Sequence, residues 1–305
     1  MSTAPLLRRR ELYPEPLIDG RAAPRGTAAR FRRRVDSLLA SGAEREEARL
    51  ERLLRAQPGV TRPNLVALIS PKGGVGKTTS TFLVGNLLAS HLKLRAIAVD
   101  ANPDFGTLGR LAGDGAPERR SLAEVLDDAD RLGTAAELRA YVSRLPSGLH
   151  LLAAPTDARL TASLGPDRYG ELVAFLSCFY DTVLLDLGTG VAGPLAQFAI
   201  DRADQVVLVT TPEWITASVV LEALDHLSHE RTTVVVNKSD RRLATEVRAV
   251  EECFRRRHLH RSVTIPRDDR LAVMLDSGTY ALEALDRRTR LPVKRLGLAV
   301  AEQLV

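Results

Sequence analysis

Nine residues constrain this chain more than its composition does: Pro71-Lys72-Gly73-Gly74-Val75-Gly76-Lys77-Thr78-Thr79. They stand between an apolar run suited to a buried strand, Leu65–Ser70, and a helical pattern over 78–92. Glycines at 73, 74 and 76 let backbone N–H groups turn toward one centre, and the helix start behind them favours an anion there. Lys77 would then neutralise β- and γ-phosphate oxygens, and Thr78 would offer its hydroxyl to Mg²⁺. The segment fits the pattern G-x-x-x-x-G-K-[ST] loosely, since it lacks the first glycine. Lysine is scarce in this chain, 5 against 38 arginines, yet two of the five fall within six residues here.

The remaining pattern alternates. Candidate strands at Ala96–Asp100, Leu149–Ala153, Thr182–Asp186, Gln205–Thr210, Thr232–Asn237 and Ser262–Ile265 are mostly apolar. Helical patterns over 121–143, 167–179, 194–202, 214–229, 244–257, 268–276 and 292–305 separate or follow them. Apolar strands alternating with helices predict an α/β fold, a mostly parallel doubly wound sheet with helices on both faces. Such a sheet carries its ligand at the C-terminal ends of its strands.

Ahead of this domain, residues 1–26 hold four prolines and no apolar periodicity, and they read as a flexible arm. Residues 27–60 read as a basic helical extension. Phe31, Val35, Leu38 and Leu39 form one stripe, Leu50, Leu53 and Leu54 another, and Ser41-Gly42 breaks them. Pro58, Gly59 and Pro63 mark the boundary to the main domain, 61–305. Residues 1–60 carry 13 Arg and 8 acidic residues, so the whole net charge of +5 resides in them.

Two cysteines 75 positions apart argue against a disulfide framework, a structural zinc or an iron–sulfur cluster. No apolar run approaches the ~18 residues of a membrane span. Arg8, Arg9 and Arg10 are not followed by the apolar core of a secretory signal. A reduced, cytoplasmic protein is expected.

Lys72-Gly73-Gly74-Val75-Gly76-Lys77-Thr78-Thr79 resembles the deviant Walker A motif of the MinD/ParA family of P-loop ATPases, and the resemblance extends from about Leu65 to the C-terminus. It implies a P-loop NTPase fold binding ATP and Mg²⁺. It also implies that Lys72 reaches the phosphates of a partner subunit's nucleotide across an ATP-sandwich homodimer. Asp100-Ala101-Asn102-Pro103-Asp104 resembles the family's switch I, with Asp100 near the Mg²⁺-bound water. The second switch I acid matches Asn102, and an amide can position water without accepting its proton, so slow hydrolysis is expected. Asp104 is the other candidate for that acid. Asp186-Leu187-Gly188 resembles Walker B with switch II, the carboxylate serving Mg²⁺ and the Gly188 amide serving the γ-phosphate.

Two later segments resemble the family's base-contacting loops: Asn237-Lys238-Ser239-Asp240 and Pro266-Arg267-Asp268. Asn-Lys-x-Asp is also the guanine-reading motif of GTPases, which keeps GTP open beside ATP. The clusters Arg255–Arg257 and Arg287–Arg290, with Lys294 and Arg295, suggest non-specific DNA binding as in ParA-like proteins, or else a solvated face. The family membership further implies an activating partner protein and a cargo, DNA or a protein complex, to be positioned or segregated. The competing expectation is a nucleotide-dependent scaffold with little turnover. Membrane contact would fall to the N-terminal extension, because the last helical pattern, 292–305, leaves no room for an amphipathic tail.

Overall fold

The computed structural model describes residues 42–102, 107–112, 120–224, 227, 231–257, 259 and 261–304. In chain order the elements are α1 (Gly42–Arg55), β1 (Asn64–Ile69), α2 (Lys77–His91), β2 (Ala96–Ala101), α3 (Leu122–Asp127), α4 (Ala135–Leu138), β3 (Ser143–Arg144) and β4 (His150–Leu152). There follow α5 (Ala158–Ser163), α6 (Pro166–Ser177), β5 (Thr182–Leu187), α7 (Pro194–Arg202), β6 (Gln205–Thr210) and α8 (Trp214–Leu224). The last third contains β7 (Thr232–Ser239), α9 (Ala244–Arg256), β8 (Ser262–Pro266), α10 (Asp269–Ser277) and α11 (Arg287–Ala301).

The strands form one eight-stranded sheet in the order β3-β4-β2-β5-β1-β6-β7-β8. Every pairing is parallel except β3 with β4. Because side chains alternate along a strand, each central strand feeds two cores. Val66, Leu68, Ala98, Leu184, Val207 and Val235 face α2 and α11, whereas Ala67, Ile69, Val99, Leu185, Leu208 and Val236 face the α6, α7 and α8 layer. Burial on both faces explains why these strands are apolar throughout, as the doubly wound reading requires.

Two local expectations are corrected. The pattern over 121–143 is not one helix but α3, a 3-10 turn at Ala129–Arg131, α4 and the edge strand β3. Two capping boxes cause the division: Ser121 with Glu124 starts α3, and Thr134 with Glu137 starts α4. The last helix begins at Arg287 instead of residue 292, with Pro292 inside it. Thr289 and Arg290 donate their amides to the carbonyl of Asp286, which starts the helix before the proline. Of the pattern over 214–229, α8 covers Trp214–Leu224, and residues 225, 226, 228 and 229 lie outside the described residues.

The described part of the N-terminal extension is α1, which balances four arginines against four glutamates; residues 1–41 lie outside the described residues. Its buried Leu50 and Leu54 join the core under α11. Its acidic face meets the late basic cluster. Arg287 pairs with Glu44 and Glu47, Arg290 with Glu47, Lys294 with Glu47 and Glu51, and Arg295 with Glu46. Through these pairs Arg287, Arg290, Lys294 and Arg295 join α11 to α1, while Arg288 pairs with Asp286. Arg255 and Arg256 likewise pair with Glu252 on their own helix, and Arg257 donates to the carbonyl of Leu221.

Candidate nucleotide site

The loop between β1 and α2 is held in shape from both ends. Ser70 Oγ donates to the carbonyl of Lys72 at 3.0 Å and accepts its amide at 3.2 Å. Gly190, in the loop after β5, donates its amide to the carbonyl of Ser70. Gly74 and Gly76 adopt positive φ, 73° and 101°, a region open to glycine at little cost. At Gly76 space is also short, because a methyl group there would lie 2.1 Å from Asn237 Nδ2. Gly76 directly precedes α2, so the turn aims free amides at the position an anion would take.

Parallel pairing of β2 with β5 sets Asp100 directly beside Asp186 at the strand ends. Thr78 Oγ1 donates to Asp186 at 2.6 Å, and Thr81 Oγ1 donates to its other oxygen at 3.1 Å. Asp100 accepts the Leu108 amide at 2.9 Å and the Asn102 amide at 3.3 Å. Burial, reinforced by the neighbouring Asp186, pushes Asp100 up to about 7. Burial likewise raises Asp186 to about 6 against the lowering by Thr78, Thr81 and Lys77. Lys77 is buried in the same pocket, and desolvation lowers its pKa while Asp186 opposes the shift. Two buried carboxylates and a hydroxyl form an oxygen set suited to a hard cation such as Mg²⁺, which would also restore both carboxylates to their charged form.

The base-loop candidates converge on the same loop. Asn237 Nδ2 donates to the carbonyl of Val75 at 2.8 Å, and Lys238 Nζ to that of Gly74 at 2.6 Å. Lys238 holds a left-handed φ of 56°. Asp240, exposed at the end of β7, accepts the Arg242 amide at 3.1 Å. The second loop joins the first where Arg267 donates its amide to the carbonyl of Ser239, and Pro266 pairs with Ser239 across β7 and β8. Asp268 caps α10 through the Arg270 amide, and its Oδ2 is buried without a partner among the described residues.

Thus Lys77, Thr78, Asp100 and Asp186 form one cluster, with Asn237 and Lys238 against the adjoining glycine loop. Gly73, where an added methyl would lie 3.1 Å from Thr189, and Gly188, just after β5, border it, while Thr79 continues α2. Asn102 follows β2 directly, and Asp104 lies outside the described residues. Lys72 is exposed and reaches away from the pocket to Thr216 of α8, 3.0 Å from Nζ to Oγ1. Sequence reasoning missed Thr216, since a threonine 144 positions away carries no local signal.

Residues 66–279, well over half the chain, match the model of the CobQ/CobB/MinD/ParA nucleotide binding domain. The ESX-1 secretion-associated protein EspI of Mycobacterium tuberculosis is 31% identical over 183 residues, covering 56% of this chain and 26% of that protein. The septum site-determining protein MinD of Bacillus subtilis is 28% identical over 148 residues, 48% of this chain and 53% of MinD. The chain thus spans from a quarter to about half the length of these relatives. Among solved structures, a ParA family ATPase from Chlorobium tepidum superposes with a TM-score of 0.63 at 22% identity, over 78% of this chain and 98% of that one. Pyrococcus horikoshii MinD, complexed with Mg-ADP, gives 0.61 at 17% identity, over 77% and 94%. At such identities the superpositions show the fold alone.

Proposed function

Because the chain belongs to the CobQ/CobB/MinD/ParA nucleotide-binding family, we propose that it is a MinD/ParA-like ATPase that binds ATP with Mg²⁺ and dimerises on it. Its hydrolysis would position a cargo or regulate a partner complex. The observation that carries this reading is the contact of Thr78 with Asp186 beside buried Lys77, three groups that P-loop chemistry requires together. Mg²⁺, once bound there, would supply charge neutralisation at the β- and γ-phosphates, with Thr78, Asp186 and Asp100 as its holders.

The base pocket supports adenine. With one N–H of Asn237 Nδ2 given to Val75, the side chain keeps a second N–H and the acceptor Oδ1, a pair that suits an exocyclic amine beside a ring-nitrogen acceptor. Adenine presents such a donor, whereas guanine presents a carbonyl at the corresponding ring position. The similarity to a secretion-associated protein and to septum-site proteins supports a protein assembly as the cargo more than DNA, and Arg287 and Arg290 are paired with glutamates of α1. Sedimentation velocity with Mg-ATP, Mg-ADP or no nucleotide tests the reading: ATP alone should double the mass, and an unchanged mass in all three conditions counts against it.

Asn102 supports a second reading, a nucleotide-dependent scaffold with little turnover. Phosphate release with and without a partner protein separates the two.

A further inference from the structure

Four hydroxyl side chains follow one another at the start of α2: Thr78, Thr79, Ser80 and Thr81. Residues three apart share a helix face, so Thr78 and Thr81 lie together while Thr79 and Ser80 are turned aside. Ser80 accordingly donates back to the carbonyl of Gly76 at 3.0 Å. Thr78 and Thr81 instead both reach the end of β5. They take different oxygens of one carboxylate, Oδ2 and Oδ1 of Asp186, at 2.6 and 3.1 Å. Thr81 is completely buried, and Asp186 is 2% exposed. Among the described residues, Thr81 is the one hydrogen-bond donor to Oδ1. Its hydroxyl has a second acceptor in reach, the carbonyl of Lys77 at 3.1 Å, which is the ordinary partner of a threonine inside a helix. The hydroxyl carries one proton, and a carboxylate binds it more strongly than a neutral carbonyl does.

We propose that Thr81 is a positioning residue for Asp186. Its hydroxyl holds Oδ1 and stops the carboxylate from turning about the Cβ–Cγ bond. Oδ2 then stays beside Thr78 Oγ1, on the side where a cation would sit. The inference rests on the Mg-ATP reading above and adds to it the residue that orients the carboxylate. The terminal torsion of an aspartate has a broad, shallow profile, so a carboxylate held at one oxygen alone would rock. With both oxygens held from one helix face, its orientation is set when the chain folds and not when the cation binds. Partners of this outer kind commonly account for about tenfold to a hundredfold in metal affinity.

The test compares Thr81→Val, which keeps the shape and removes the hydroxyl, with Thr81→Ser, which keeps the hydroxyl. Titration calorimetry measures ADP affinity in EDTA and at rising Mg²⁺, and electron paramagnetic resonance measures Mn²⁺ binding to the ADP complex. In Thr81→Val the Mg²⁺ concentration at half effect and the Mn²⁺ dissociation constant should both rise about tenfold to a hundredfold. ADP affinity in EDTA should stay at the wild-type level, and Thr81→Ser should match wild type in every reading. Thr81→Ala should repeat the valine result and takes its place if the valine variant does not fold. Unchanged Mg²⁺ and Mn²⁺ dependence in a folded variant without the hydroxyl overturns the proposal. A shift of equal size in Thr81→Ser also overturns it, because the methyl group and not the hydroxyl would then matter. So does an equal loss of ADP affinity in EDTA, the mark of a merely structural role. Wild-type protein that binds ADP with no response to Mg²⁺ overturns the Mg-ATP reading itself, and the proposal with it.

Discussion

Glu47 and Lys294, 247 positions apart, meet at 2.8 Å, and the lysine is completely buried beneath the contact. Glu51 at 2.8 Å and Glu283 at 3.5 Å complete a ring of carboxylates around the ammonium. The three acids could by geometry hold a metal ion, but the lysine already occupies that role. Through this contact the helix ahead of the nucleotide domain becomes part of its core, fastened to α11, which in turn packs on α2.

Removing one member of a buried ion pair leaves an uncompensated charge, so Glu47→Ala should destabilise the fold by about 3 kcal/mol, and the double change to Glu47→Leu with Lys294→Met should recover most of it. Urea midpoints at constant m-value measure both. The pH dependence has a definite sign. Burial alone would raise the Glu47 pKa, but hydrogen bonds from Arg290 and Lys294 outweigh it and lower the group from 4.5 to about 2. A depressed acid stabilises the fold above its unfolded pKa, so this contribution is complete above about pH 4.5 and is lost as pH falls toward 2. Glu47→Gln should flatten the stability profile in that window and leave its shape near neutrality unchanged.

Lys77 is buried beside Asp186 at the proposed phosphate loop, and the loop amides alone carry only partial charge. Lys77→Ala should therefore lower affinity for Mg-ATP by at least a hundredfold while leaving the melting temperature of the nucleotide-free protein near that of wild type. Titration calorimetry decides it, and near-normal affinity would falsify the assignment of the phosphate loop.

Gly76 has two independent reasons to be glycine, its φ of 101° and the Asn237 amide 2.1 Å from where a methyl would stand. Gly76→Ala should break the Asn237–Val75 bond and open the base side of the pocket. The expected result is loss of ATP binding accompanied by a stability cost of about 1–3 kcal/mol. Gly59→Ala, with nothing within 4 Å of the added methyl, serves as the control and should bind normally.

How much of this was legible depended on whether the signal was local. The proposed phosphate loop, Gly73 to Thr79, is contiguous and could be read directly, and the alternation of strands and helices placed Asp100 and Asp186 at strand ends, where the structure sets them side by side. The division of 121–143 was also present, as the Ser121–Glu124 and Thr134–Glu137 boxes, but the leucine spacing obscured it. Pro292 concealed the true start of α11, because contacts across 243 positions, Arg290 with Glu47 and Arg287 with Glu44, hold a turn that local rules end. The same long-range pairing joins the late basic cluster to α1. Neither it nor the Lys72–Thr216 contact has a sequence period to reveal it.

Asn102 is the departure from the family pattern nearest the chemistry. It stands two residues after Asp100, whose carboxylate accepts its amide, so its backbone is tied to the carboxylate proposed to hold Mg²⁺. An amide side chain can orient water but cannot take its proton, and general-base assistance contributes about 10²–10⁴ in rate. Basal ATP hydrolysis should therefore be slow but measurable, since charge neutralisation by Lys77 and the metal is unaffected. Asn102→Asp should raise kcat at least tenfold with little change in KM, because the substitution acts on the transition state and not on ground-state binding. If kcat does not rise while Asp104→Ala abolishes turnover, Asp104 is the working acid. If neither variant changes a rate that is already undetectable with any partner present, the chain is the scaffold of the second reading, and ATP acts on it through binding alone.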